Sequence, residues 1–258
     1  MCLYPKLILN PKYLPNKKNA RKPPHCDDER KKYVAIGCQR CKECLKQKSN
    51  NWKIRLYEEI RINKISQFIT LTFSDESILK LTKDLEKHDY KGYQLDNALA
   101  TLAVRRFLER HRKIYKKQLK HFLITELGHS GTENIHLHGI LFTDLSTEQI
   151  KQIWQYGYIW NGYDKTKTYV NEATINYITR YITKTDLKHT EYKAKILCSK
   201  GIGSTYTTTP QARLNKYNEK KTRETYTTKT GHKIALPIYY RNKIYNEEQR
   251  ANLWTLIS

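Results

Sequence analysis

Three things are scarce in this chain of 258 residues: long apolar runs, acidic side chains and internal repetition. No run of about 18 apolar residues exists, the length a helix needs to cross a bilayer, and the mean hydropathy is −0.79. A spanning helix, and with it a membrane partner, is therefore not expected. Pro5 and Pro11 interrupt the stretch where a secretory leader would need unbroken apolar sequence, so the chain is expected to stay in the cytoplasm where it is made. Asp and Glu number 25 against 48 Lys and Arg, a formal charge of +23 spread along the sequence. The simplest partner for such a surface is a polyanion, with nucleic acid first; a Lys-heavy solvated surface is the plainer alternative. In a reducing compartment six cysteines, three of them at Cys38, Cys41 and Cys44, read as thiols or metal ligands and not as disulfides.

What is present reads as one substantial domain with a small appendage. Residues 1–36, with Asn10-Pro11 and Pro23-Pro24, show little periodicity and read as an extended arm and loops. Leu45, Trp52, Leu56 and Ile60 keep roughly helical spacing and predict a basic amphipathic helix directly after the cysteines. Phe68-Ile-Thr-Leu-Thr-Phe73 alternates apolar and hydroxyl side chains, which predicts a strand ending at Ser74-Asp75-Glu76. Residues 95–117 predict a helix behind an Asp96 cap, with Leu95, Leu99, Leu102, Phe107 and Leu108 inward. Its other face carries Arg105, Arg106, Arg110, Arg112, Lys113, Lys116 and Lys117, a solvated surface or a set of phosphate contacts. Residues 121–127 and 135–142 form two strands around a polar loop, 128–134. A capping box at Ser146 and Gln149 starts a helix through Ile150 and Trp154. Residues 156–160 predict another strand, and Asn171 opens a helix to about Thr185; beyond Asp186 the Lys/Thr/Tyr-rich sequence resists parsing. Mixed elements in this order suggest an α+β domain on an antiparallel sheet.

The candidate chemistry begins at His136-Leu137-His138. Side chains two apart in a strand share a face, so the two imidazoles project together. If the hairpin pairs symmetrically, Glu126 falls opposite His136 and completes a His-His-Glu set suited to Mn²⁺ or Mg²⁺. The alternative is two histidines on a strand by chance. In Glu172-Ala-Thr-Ile-Asn-Tyr-Ile-Thr-Arg-Tyr-Ile-Thr-Lys184, a turn of about 100° per residue separates an Ile175, Ile178 and Ile182 stripe from a Tyr177, Tyr181 and Lys184 stripe. A tyrosine oxygen is a competent nucleophile toward a phosphodiester beside a metal and a cation, and Lys184 can supply the cation. Phenols used as half-buried fillers are the other reading.

Together these residues resemble the HUH endonuclease superfamily, and within it the replication initiators of microviruses, small single-stranded-DNA bacteriophages. Phe68-Ile-Thr-Leu-Thr-Phe73 resembles the first superfamily motif, Glu126 with His136 and His138 the metal motif, and Tyr177, Tyr181 and Lys184 the tyrosine motif. The Gly37–Leu45 cysteine segment leading to Trp52, Gly201-Ile-Gly203 and Leu236-Pro-Ile-Tyr-Tyr240 resemble microvirus initiators, whereas Asn134-Ile135 stands where many relatives carry Arg-Pro. The resemblance implies a palm with a central, about five-stranded antiparallel sheet flanked by helices, and a cysteine-rich N-terminal element. It implies rolling-circle replication in the cytoplasm of a bacterial host: the phage origin is nicked, a tyrosine takes the 5′ phosphate, and host helicase and polymerase extend the 3′ end. The chain then divides into an arm, cysteine cluster and basic helix (1–62), an endonuclease core (63–190) and a basic C-terminal region (191–258). Arg180 joins the basic helix face as a DNA contact.

Cys38, Cys41 and Cys44 supply three thiolates, and Cys2 or Cys26, beside His25, would complete a structural zinc site; an iron–sulfur cluster or free thiols are alternatives. The resemblance favours Cys2. Cys198 reads as an ordinary buried thiol. Rival functions are an HUH-type transposase and a non-catalytic, zinc-containing nucleic-acid-binding protein.

Overall fold

The computed structural model describes residues 2–128, 133–161, 170–184 and 187–255. Most of the predicted 128–134 loop and the predicted helix end at Thr185 lie outside them. The chain forms two compact units, Met1–Lys48 and Ser49–Ser258.

The first unit corrects the expectation of a bare arm and loops. Strand β1 (Lys6–Leu9) pairs antiparallel with β2 (Tyr33–Ile36), Leu7 opposite Ala35 and Leu9 opposite Tyr33. Four-residue strands so far apart in sequence carry too little alternation to be read in advance. The asparagines between them make turns: Asn10 accepts from the Lys12 N–H, and Asn16 and Asn19 each accept from the other's backbone N–H. Helix α1 (Lys42–Ile62) begins here and continues into the second unit.

In the second unit come β3 (Gln67–Leu71), α2 (Asp75–Leu85), α3 (Tyr93–Tyr115), β4 (Lys120–Leu127), β5 (Ile135–Phe142), α4 (Thr147–Trp154), β6 (Ile159–Trp160), α5 (Glu172–Arg180) and β7 (Ile196–Cys198). The five strands form one antiparallel sheet in the order β6-β3-β5-β4-β7, flanked by helices, so the domain is α+β as the pattern implied. Period-two alternation gives the sheet two apolar faces. Leu71, Leu123, Leu137 and Leu141 pack with residues of α2, α3 and α4 on one; Phe122, Ile124 and Ile140 pack with Ile175 and Ile178 of α5 and Leu56 of α1 on the other.

Several boundaries differ from the sequence reading. Helix α2 was unforeseen: Ser74 accepts from the Ser77 N–H as its N-cap, and Leu81 and Leu85 are buried. Helix α3 starts at Tyr93 behind Gly92, so Asp96 is not its cap, and it stops at Lys116, which takes a left-handed conformation (φ 55°). The capping box of Ser146 and Gln149 forms as expected. Helix α5 ends at Arg180, short of the predicted end, because Tyr181 and Ile182 donate to the carbonyls three residues back and the Thr183 hydroxyl takes the Arg180 carbonyl.

The C-terminal part resolves into α6 (Pro210–Arg213), the hairpin β8 (Thr225–Thr227) and β9 (Lys233–Ala235), α7 (Ile238–Ile244) and α8 (Glu247–Thr255). Its core is built on tyrosines, three of whose phenols find partners: Tyr206 with Asn215 at 2.6 Å, Tyr226 with Glu58 at 2.6 Å, and Tyr240 with the Gly203 carbonyl at 2.8 Å. The two C-terminal segments singled out in the sequence thus meet each other. Gly203 has φ 69°, and a Cβ there would lie 2.5 Å from the Arg55 carbonyl oxygen.

Candidate active site and metal centres

The hairpin of β4 and β5 sets Glu126 opposite His136, and β3 sets Thr70 opposite His138, so all four side chains share the sheet face that carries α5. His136 Nε2 and His138 Nε2 both address the same oxygen of Glu126, at 3.1 and 2.8 Å. Their far nitrogens are held as well: Thr70 Oγ1 lies 2.9 Å from His138 Nδ1, and the Asn134 carbonyl lies 3.3 Å from His136 Nδ1. The ligand atoms of Glu126, His136 and His138 lie within 4.8 Å of one another. One carboxylate and two imidazoles aimed at a common point, with outer partners fixing both rings, fit a divalent ion of the Mg²⁺, Mn²⁺ or Zn²⁺ kind. Burial alone would raise the Glu126 carboxyl, but hydrogen bonds from His136, His138 and Lys184 hold it well below the usual carboxylate range. Burial lowers His138, which keeps its imidazole neutral and ready to donate a lone pair.

Helix α5 brings the tyrosines to this point. Its apolar stripe divides as the spacing required, with Ile175 and Ile178 fully buried, Ile182 at 6% and Tyr177 at 42% exposed. Two bonds tie the helix to α1: Ser49 donates to the Thr179 carbonyl at 2.9 Å and Tyr57 to Asn176 at 2.8 Å. The Tyr181 ring stacks on His138 with centroids 4.5 Å apart, and its hydroxyl donates to the Tyr177 oxygen at 2.6 Å. Lys184, one turn beyond the helix end, forms an ion pair with the second oxygen of Glu126 and stands 5.6 Å from the Tyr181 ring. Burial, then the bond to Tyr177, pushes the Tyr181 phenol above its ordinary range. Arg180 lies 5.8 Å from the Tyr177 ring. The geometry therefore gathers Glu126, His136, His138, Tyr177, Tyr181, Lys184 and Arg180. It adds Thr70, which the sequence reading passed over although the alternation of residues 68–73 already puts a hydroxyl on that face.

The other basic candidates do not join them. Helix α3 packs on the opposite sheet face. Two of its arginines serve the fold: Arg106 pairs with Asp84 at 2.6 Å, and Arg110 caps the end of α4 through the Ile153 and Trp154 carbonyls at 2.6 and 2.9 Å. Arg105, Arg112, Lys113, Lys116 and Lys117 are exposed.

Within the first unit, the sulfurs of Cys2, Cys38, Cys41 and Cys44 lie within 4.8 Å of one another. The Cys38–Cys44 and Cys2–Cys41 separations are 4.0 and 3.8 Å, matching the edge of about 3.8 Å expected for a tetrahedron of 2.3 Å zinc–sulfur bonds. Backbone N–H groups of Cys38 and Cys41 donate to the Cys2 and Cys38 sulfurs at 3.2 Å each, as thiolates require. Such bonds, first from Cys44 and then from Leu3, bring the Cys41 thiol down to about 6, while burial pushes Cys44 up to about 12. Cys26 stands apart, its thiol donating to the Asp28 carbonyl. Cys198 is half-buried, and burial raises its thiol.

Among the described residues no helix is long and apolar enough to cross a membrane. No solved structure matches the chain. A curated replication-associated protein ORF2 of Spiroplasma virus 4 is 28% identical over 205 residues, 69% of this chain and 60% of that protein. The chain thus spans about 60% of the length of that relative. Residues 66–186 match the replication-associated protein ORF2 family, a span that runs from the start of the sheet to just past Lys184 and encloses the whole Glu-His-His-Tyr-Tyr-Lys cluster. The site-bearing domain is similar to viral replication-associated proteins.

Proposed function

We propose that the protein initiates rolling-circle replication of a microvirus-type phage as an HUH endonuclease, nicking and rejoining single-stranded DNA at the origin through a 5′-phosphotyrosine link. What supports the reading above all is the closure of Tyr177, Tyr181 and Lys184 on Glu126, His136 and His138, two hydroxyl nucleophiles beside a divalent-metal donor set. The similarity to replication-associated proteins agrees with it.

A Mg²⁺ or Mn²⁺ ion held by Glu126, His136 and His138 would withdraw charge from the scissile phosphate. The chain's own residues do the rest. A tyrosine oxygen forms a bond to phosphorus and the bond to the DNA 3′ oxygen breaks; in net terms the phenolic proton goes to that oxygen, which leaves as a 3′ hydroxyl. Lys184 provides positive charge where negative charge develops. Attack of a 3′ hydroxyl on the phosphotyrosine reverses the balance, restoring a phosphodiester and a free phenol without ATP. Adjacent tyrosines suit a cycle in which one holds the first 5′ end while the other cuts the regenerated origin. Zinc at Cys2, Cys38, Cys41 and Cys44 would order the first unit, and the 3′ end would be extended by host helicase and polymerase in the host cytoplasm.

The test is an origin oligonucleotide incubated with Mn²⁺ and the full chain, followed by denaturing electrophoresis. A covalent adduct is expected, abolished in Tyr177→Phe/Tyr181→Phe and formed about 100-fold or more slowly in His136→Ala. An adduct unchanged in the double variant would refute the tyrosine assignment.

A further inference from the structure

We propose that a basic groove along the β7 edge of the sheet, off the catalytic face, binds the sugar-phosphate backbone and unpaired bases of single-stranded DNA flanking the nick. The inference rests on the reading that single-stranded DNA is the substrate.

Two cavities make the groove. One of about 1110 Å³ lies between the α2–α3 connection, the first half of α3 and the chain entering β7; its lining includes Tyr90, Lys91, Arg105, Arg106, Lys193 and Lys195. The other, about 530 Å³, shares Arg105 and adds Arg112, Lys120 and Lys200. Together they follow α3 from Gly92 to Arg112, about 30 Å at 1.5 Å per residue. Strand β7 is the outer strand on that side, so the groove opens at the sheet edge.

Charge accounting separates this groove from a merely solvated helix. Asp84 is taken by Arg106, Asp89 by Lys91 at 3.1 Å, and Lys120 is taken by Glu59 at 2.7 Å; Glu109 stands 3.9 Å from Arg105. Among the described residues Arg112, Lys193, Lys195 and Lys200 are exposed and held by no carboxylate. These four come from stretches of chain some 80 residues apart, as their numbering shows, yet line one concavity. Lys113, Lys116 and Lys117, on the same helix, do not line it, and behave as the ordinary solvated charges.

The wall is stiff. Asn97 donates to the Lys193 carbonyl at 3.1 Å and accepts from Thr125 at 2.8 Å, and the Lys195 N–H donates to the Thr125 oxygen at 2.8 Å. A preformed row of cations costs less to organise on binding. Tyr90, 42% exposed at the rim, offers a ring on which an unpaired base can stack, which a duplex would not present. Thr125 and Glu126 are neighbours on β4 and point to opposite faces, so a strand passing round this end of β4 leaves the candidate metal site and enters the groove.

The test measures binding of a fluorescently labelled 30-nucleotide single strand without divalent metal, across a salt series. Arg112→Glu/Lys193→Glu/Lys200→Glu is compared with Lys216→Glu/Lys220→Glu/Lys221→Glu, which removes the same charge from exposed positions elsewhere. The groove variant is expected to bind at least about tenfold more weakly than the control. Its slope of log affinity against log salt should fall by about two, three contacts at roughly 0.7 each, while the control keeps the wild-type slope. If circular dichroism shows the glutamate variant unfolded, the same three positions changed to Gln serve, again with loss of slope expected. Equal weakening in both variants with equal slopes overturns the groove. Should the wild type bind no single strand, the groove and the functional reading fall together. Binding that is groove-dependent without any tyrosyl adduct leaves the groove standing and removes the nicking chemistry alone.

Discussion

Cys2, Cys38, Cys41 and Cys44 offer four sulfurs with tetrahedral spacing, steadied by backbone N–H groups in a turn, whereas Glu126, His136 and His138 offer two nitrogens and one carboxylate on rigid strands. Four soft donors saturate a zinc ion and leave no position for a substrate; three harder donors leave positions open, and here the open side is the one Tyr181 covers. Ligand number and softness, more than the mere presence of metal-binding side chains, divide a centre that organises chain from one that can do chemistry.

The largest effect that would break this contrast concerns the cysteines. Structural zinc is worth about 10–16 kcal/mol of apparent binding energy at neutral pH. Cys41→Ser/Cys44→Ser should therefore lose stoichiometric zinc and make residues before Lys48 readily cleaved in limited proteolysis; a metal-free variant with a protected N-terminal unit would abolish the distinction. Next comes Thr70. Removing its hydroxyl in Thr70→Val should weaken Mn²⁺ binding at the histidines about 10–100-fold, read by electron paramagnetic resonance titration, with recovery in Thr70→Ser and unchanged zinc content. A smaller effect fixes the baseline of both. Burial lowers His111 and His121, which lie in the sheet domain away from either metal set, so the unfolded chain takes up their protons first. Stability from this source is complete above the unfolded value of 6.5 and declines as pH falls below it. The melting temperature of chelated protein should drop by a few degrees, roughly, between pH 7 and pH 5. No drop would show that acid loss of metal, not of fold, governs both centres.

Local physics made much of the catalytic face legible before any coordinates. Two-residue alternation put His136 and His138 on one side, symmetric hairpin pairing put Glu126 across from His136, and helical spacing split Ile175, Ile178 and Ile182 from Tyr177, Tyr181 and Lys184. These relations span at most one hairpin or three turns. Helix α2 escaped notice because Ser74-Asp75-Glu76 serves equally as a strand stop and an N-cap. The end of α5 depended on a competition between Thr183 and the backbone for one carbonyl. Strands β1 and β2, the Arg110 cap on α4 and the partnership of Lys193 and Lys195 with α3 are long-range events on short or non-periodic segments, for which sequence spacing holds no signal.

Gly139, the residue after the second histidine, carries a consequence of its own. A Cβ there would stand 2.1 Å from the Phe122 carbonyl oxygen and 2.8 Å from the Leu123 Cα. Strands β4 and β5 close to that spacing only because one of them has nothing to insert. The glycine thus works as a gauge block for the distance between Glu126 and His138. In a saturation-mutagenesis screen it should score like a ligand while donating no electron pair, its intolerance set by tooling rather than by chemistry.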